Sequence, residues 1–318
     1  MRHFAALAFV LFLVWSAAAA THIADVPLPC DSRDQTLSPD GAQLAARCKD
    51  HSLHILSVPD GKALRVIPAE PRAESLAYSP DGHWMAVGFG DGMIELDSTN
   101  GASPSKRWQA SPRPIEALQF FPDASKLVAG PGDSSGQVWQ LSASPKLLAT
   151  LPSDFGGITA CAVSPDGKLL VVAGGDTVVR WYNTATWQKT AENRDFLLDT
   201  FAIAFAPDGK EVLLGGADAR ITITDAATAK PIRQSPPDAG SSVAVLDVFG
   251  GQKTADLKTA AIYFDDAGEK PPHQQIWQLS DAKSIARSDA APSCEAVVAG
   301  KLWLCIAEGQ TLRISQYE

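Results

Sequence analysis

The chain has no run of basic residues; 27 lysines and arginines stand against 36 aspartates and glutamates, a formal net charge of −9. A surface of that sign repels phosphate backbones, so nucleic acid is excluded as the expected partner. No phosphate-cradling loop, dinucleotide fingerprint or CxxC pair occurs, and no cofactor is expected. The six histidines are spread thinly. His51 and His54, read as strand residues three apart, point to opposite faces and do not converge on a metal. The acidic string "DDAGE" at 265–269 is too short for a calcium loop, so no metal is expected either. Only three asparagines occur, at 100, 183 and 193, and none begins a glycosylation site. That favours a bacterial periplasm over a eukaryotic secretory route.

Beyond the first twenty residues no stretch approaches the length needed to cross a membrane. The first twenty themselves, "MRHFAALAFVLFLVWSAAAA", begin with Arg2, continue with an apolar run from Phe4 to Trp15 and end in small residues. Ala18-x-Ala20 fits the small-residue rule for signal peptidase, so residues 1–20 are expected to be a signal peptide cleaved after Ala20. The competing reading is a retained anchor helix. The expected location is periplasmic or secreted, with no membrane span after signal removal and no cysteine at the cut for a lipid anchor. Loss of Arg2 makes the remaining chain one unit more acidic.

All five cysteines lie beyond residue 20, where export permits disulfides. Cys294 and Cys305 flank Gly300 at offsets that set them near-opposite across a hairpin, and Cys30 and Cys48 bracket the turn at 38–41. Both pairs are disulfide candidates; the alternative is that all five are small buried apolar residues. Cys161, inside "ITACAVS", is expected to be a buried free thiol.

What the sequence does contain is a recurring turn. "SPDG" stands at 38–41, 79–82 and 164–167, with "FPDA" at 121–124 and "APDG" at 207–210. The last turn residues, 41, 82, 124, 167 and 209, are 41 to 43 residues apart. Proline presets the first turn position, and Asp-Gly adds side-chain hydrogen bonding and a permissive backbone. Apolar segments flank each turn, as in "ACAVSPDG" followed by "KLLVVAGG", so each turn reads as a hairpin tip between two buried strands. A Gly/Asp loop, a third strand such as "VVRWYNT" and a more polar fourth such as "WQKTAEN" complete the unit. Four short strands every 42 or so residues predict a β-propeller blade. Residues 241–289 supply a sixth unit and 293–316 three strands of a seventh. The missing strand is available at 21–28, so the expected fold is an all-β, seven-bladed propeller over 21–318, its last blade completed by the N-terminal strand. Six or eight blades are the alternatives.

Over essentially all of 21–318 the chain resembles the WD40-like propellers. "VWQL" at 138–141 and "IWQL" at 276–279 sit where that family carries Trp-Asp. Gln140 and Gln278 replace the aspartate and no Gly-His pair precedes the first strands, so the family's Asp-His-Ser/Thr-Trp network is not implied here. The stretch "GGDTVVRWYNTATWQK" is also similar to YVTN-type bacterial propellers, and the recurrent SPDG to periplasmic TolB-type ones.

Candidate chemistry reads as structure. "GDSSG" at 132–136 matches a nucleophile elbow centred on Ser134, but that motif needs a helix after it, and here "QVWQLS" predicts a strand. The aspartates at 40, 81, 123, 166 and 208 are each accounted for by their own turn. Trp139, Trp181 and Trp277 are expected to pack between blades. No catalytic residue is assigned. The expectation is a non-catalytic, exported binding or scaffold module, monomeric by itself, that takes a protein or peptide across the loops joining each fourth strand to the next first strand. Arg72, Glu74, Arg113, Phe155, Arg194, Asp195 and Phe196 are the partner-binding candidates, an arginine and aromatic mixture suited to interface anchors. Any one of them alone is also what a solvated loop carries. The alternative is a propeller enzyme of lactonase, hydrolase or quinone-dependent dehydrogenase type, its site assembled at the central channel mouth; a carbohydrate or small-ligand binder is the third reading.

Overall fold

The structure is a computed structural model. It describes residues 21–317 except 31, 69, 133–134, 153–156, 195–199, 218–219, 236–240, 251–257, 267–272, 279–282, 289–293, 299–300 and 309; at 32–34, 201, 241–302, 304, 306–308 and 317 the description is of the backbone alone. Among the described residues every regular element is a strand, and no helix is long and apolar enough to cross a membrane. The strands form seven four-stranded antiparallel sheets, six of them in plain chain order. The exception takes Cys294–Val298, Lys301–Glu308 and Thr311–Tyr317 and adds Thr21–Pro27 at its edge. There Val26 stands opposite Leu312 and Asp25 opposite Arg313.

The recurring turns explain the hairpins. The amide of the fourth turn residue donates to the carbonyl of the first at 2.8 Å in Gly41, Gly82, Gly167 and Gly209, and at 2.9 Å in Ala124. The glycines sit at φ +71° and Ala124 at +53°, the left-handed region that glycine enters without steric cost. Each turn aspartate accepts the amide two residues on, at 3.0–3.1 Å. In the SPDG copies it also accepts the serine hydroxyl, at 2.5–2.7 Å. The Ser164 hydroxyl and the Lys168 amide hold the Asp166 carboxyl below the ordinary carboxylate range. At Asp40, Asp81 and Asp123 partial burial pushes the other way and the same kinds of hydrogen bond outweigh it. Each carboxylate is thus occupied by its own turn.

Burial follows strand order. Second strands such as Leu169–Gly174 are buried along nearly their whole length, as a continuous apolar run predicts. Fourth strands such as Ala63–Ile67 are mostly exposed. The core is a series of seams, each between successive sheets. Ala45, Leu53 and Ile55 of the first sheet meet Met85, Val87 and Phe89 of the second; Trp181 and Val171 of the fourth meet Phe205 and Leu214 of the fifth. The N-terminal strand joins one such seam, where Ala24, Val26, Leu312 and Ile314 pack on Leu37, Leu44 and Leu56 of the first sheet.

Cys30 and Cys48 are bridged, with Cα atoms 5.8 Å apart. Cys294 stands directly opposite Cys305 in the register; the Cys294 side chain lies outside the described residues. Cys161 is free. One expectation needs correction. His51 is a turn residue at φ +72°, not a strand residue, because the tight turn between Cys48 and Ser52 requires a left-handed position there. Cys161 is partly buried, and its first-strand position puts it on the wall of a cavity.

Candidate functional site

Each of the first five sheets has two unlike ends, and one of them carries a proline turn. At the other, the connection entering a sheet meets that sheet's own second hairpin: Gly90 donates to the Arg72 carbonyl at 2.8 Å, Gly132 to Pro114 at 3.1 Å and Gly175 to Gly157 at 3.2 Å. Neighbouring sheets are tied in as well, Ser111 donating to Gly92 at 3.2 Å and Gly157 to Gly132 at 3.3 Å. Among the described residues, the loops at Arg72 and Arg113 are therefore part of a hydrogen-bonded rim.

Below this rim the first strand of each of the first six sheets carries a β-bulge. The extra residues are Arg33, Glu74, Glu116, Thr159, Phe201 and Ala244. A bulge bends the strand and re-aims the unpaired residue. In the second and third sheets that residue is a glutamate. Glu74 is held in a two-pronged pair by Arg72, whose Nε and one terminal nitrogen donate to its two oxygens at 2.5 and 2.8 Å. The carboxylate in turn keeps the Arg72 guanidinium more firmly protonated. Arg47, from the first sheet, donates to the Ala73 carbonyl at 3.3 Å and the Glu74 carbonyl at 2.5 Å, and lies 4.0 Å from the Glu74 carboxylate. Glu116 occupies the equivalent place over Gly132, where an added Cβ would collide with its carboxylate.

Arg113 is exposed, its amide donating to the Ser111 hydroxyl at 3.0 Å, and its carbonyl packs against Gly92. Arg72 and Arg113 thus flank the Gly90–Gly92 hairpin. Arg194 donates to Glu192 at 2.8 Å; Arg194 first and Lys189 second pull the Glu192 carboxyl down to about 2. Beside Arg194 lies a buried pair, Arg180 gripping both oxygens of Asp176. Phe155, Asp195 and Phe196 lie outside the described residues, as does Ser134 of the GDSSG string. The strand Gly136–Gln140 follows that string, where an elbow would need a helix.

A cavity of about 340 Å³ opens below the rim, between the first and second sheets and the inner strands of the third and fourth. Arg47, Glu74 and Glu116 are its charged lining, Leu53, Leu76 and Leu118 apolar walls, and Cys161 its thiol. Burial pushes that thiol up to about 12, so it stays protonated at neutral pH. Among the described residues no group of three or more His, Cys, Asp or Glu is placed to hold a metal.

Reading the sequence missed Arg47 and Glu116. Arg47 sits in a second strand, where it reads as an interruption of the apolar run. Glu116 was visible by superposing repeats: "RAESL" at 72–76 and "PIEAL" at 114–118 share the glutamate.

The profile of the WD domain, G-beta repeat, matches residues 61–96 and 145–183. Each match spans one fourth strand and the first three of the next sheet. These matches support a WD40-like β-propeller repeat protein. It is 28% identical over 138 residues to an uncharacterized WD repeat-containing protein of Synechocystis sp., covering 42% of this chain and 39% of that one. It is 27% identical over 119 residues to the small ribosomal subunit protein RACK1 of Drosophila melanogaster, covering 34% and 37%. The matches thus span less than two fifths of each of these two relatives. Over 253 residues it is 22% identical to eukaryotic translation initiation factor 3 subunit I of Candida albicans, covering 70% and 72%. In fold it is similar to a chain in the crystal structure of the Mitotic Checkpoint Complex, with a TM-score of 0.78 at 17% identity over 95% of this chain and 96% of that one. The propeller departs from the Trp-Asp pattern as its sequence shows: Trp139 packs against Trp108 with ring centroids 5.8 Å apart, and Gln140 donates to the Ser125 carbonyl at 2.9 Å.

Proposed function

We infer that the protein is a non-catalytic, exported scaffold that docks a protein partner on the rim of fourth-to-first-strand loops. The observation that carries this reading is the repeated first-strand bulge, which turns charged residues up beneath a hydrogen-bonded rim and over a cavity. Ion pairs hold Arg72 and Arg194 in place, so they dock with less ordering cost than free side chains. Two relatives bear the names of components of larger assemblies, and the fold neighbour's title names a complex. In this reading residues 1–20 are a signal peptide, 21–318 close as a seven-bladed ring, and the mature protein is a monomer in the periplasm or secreted medium. The Cys30–Cys48 bridge suits an oxidising compartment.

The test immobilises purified 21–318 and exposes it to an exported-protein fraction. A defined partner should be retained, lost on Arg72→Ala or Arg113→Ala, and kept on Leu148→Ala, which alters an exposed fourth-strand residue. Equal capture by all three variants, or turnover of a lactone by the parent, would sink the reading. Amino-terminal sequencing of exported protein should begin at Thr21; a start at Met1 refutes cleavage.

A further inference from the structure

We propose that Glu116 is the receptor for a guanidinium group, an arginine side chain of the docked partner. The proposal rests on the reading that this rim is the docking face, and it names what enters it. Glu74 and Glu116 are both the extra residue of a first-strand bulge, and both lie over a glycine of the second hairpin. Two residues before Glu74 stands Arg72, which closes a two-pronged pair on its carboxylate and leaves it 13% exposed. Two residues before Glu116 stands Pro114. Among the described residues no donor reaches the Glu116 carboxylate, which is exposed at the cavity.

The repeat thus presents the same carboxylate twice, once with its guanidinium and once without. A planar fork is what such a carboxylate binds best. The sign of the ligand follows from the neighbours. An incoming anion must compete with Glu74 for Arg47 and Arg72, whereas a cation at Glu116 displaces no donor among the described residues. The net charge of −9 draws cations to the surface as well. Leu76 and Leu118 on the cavity wall suit the methylene stem behind the charged head.

The probe is N-acetyl-arginine methylamide, titrated into 21–318 and followed by amide NMR shifts, with the citrulline analogue as the neutral isostere and the lysine analogue as the unforked cation. Shifts should centre on Glu116, Ala117 and Gly132, with arginine binding at least tenfold tighter than either analogue. Glu116→Gln should weaken arginine to the level of citrulline, and Pro114→Arg, which supplies an internal fork, should do the same. Unchanged affinity in Glu116→Gln, or lysine binding as well as arginine, overturns the proposal; thermal melts of both variants confirm that they fold. If Arg113→Ala loses the partner while the arginine probe fails to bind, the docking reading stands and this inference falls. If the probe binds through Glu116 but no partner is captured, the reverse holds.

Discussion

Val26→Ala should cost about 2 kcal/mol, although the residue is only the sixth of the described chain. Its side chain has no accessible surface, stands opposite Leu312 and belongs to the seam on Leu37, Leu44 and Leu56. Two methyl groups at ~0.8 kcal/mol each, plus a contribution from the cavity left behind, give that figure. It corresponds to about a thirtyfold change in the folded-to-unfolded ratio. Val66→Ala removes the same atoms from a fourth strand where the side chain is 51% exposed, and should stay within about 0.5 kcal/mol of the parent. Urea unfolding followed by tryptophan fluorescence reads both as midpoint shifts at constant slope. Leu312→Ala, combined with Val26→Ala, should show a coupling of about 0.5–3 kcal/mol, because the two share one contact. Equal shifts for Val26→Ala and Val66→Ala, or strict additivity with Leu312→Ala, would mean that the N-terminal strand frays independently of the strand it pairs with.

Arg180→Met leaves Asp176 charged in a site where both side chains are under 8% exposed, and should cost about 3–5 kcal/mol; adding Asp176→Leu should recover most of it in the same urea assay. Ala124→Gly relieves the one turn in the series that holds a Cβ at positive φ, and should stabilise by about 1 kcal/mol, seen as a higher thermal midpoint. Acid should destabilise the fold through the turn aspartates. Their folded-state values lie below the ordinary range, so the stability they supply is complete above about pH 4 and drains away as pH falls through the folded values. Urea midpoints should therefore be flat from pH 7 to 5 and fall below 4; a fall beginning near pH 6 would point to other groups.

Strand positions were legible because each is dictated locally. Pro-Asp-Gly sets a turn from its own backbone and side chains, and a run such as "LLVVAG" is apolar enough to be buried wherever it lands. The exposure of Arg72 and Arg113 was legible for the same reason. Their surroundings were not, since a bulge leaves no residue signature of its own. "AES" at 73–75 and "IEA" at 115–117 read as ordinary alternation until the register shows that Glu74 and Glu116 have no cross-strand partner.

Local pattern therefore settled the repeat, the hairpins and the all-β class, because turn chemistry and strand hydrophobicity act over a few residues. Packing alone settled that Arg47 reaches from one sheet to the Ala73 and Glu74 carbonyls of the next, that a cavity opens beside it, and that Glu74 has an arginine where Glu116, among the described residues, has none. Those are relations between residues tens of positions apart, and their energy depends on distance in space, which no short stretch of sequence encodes.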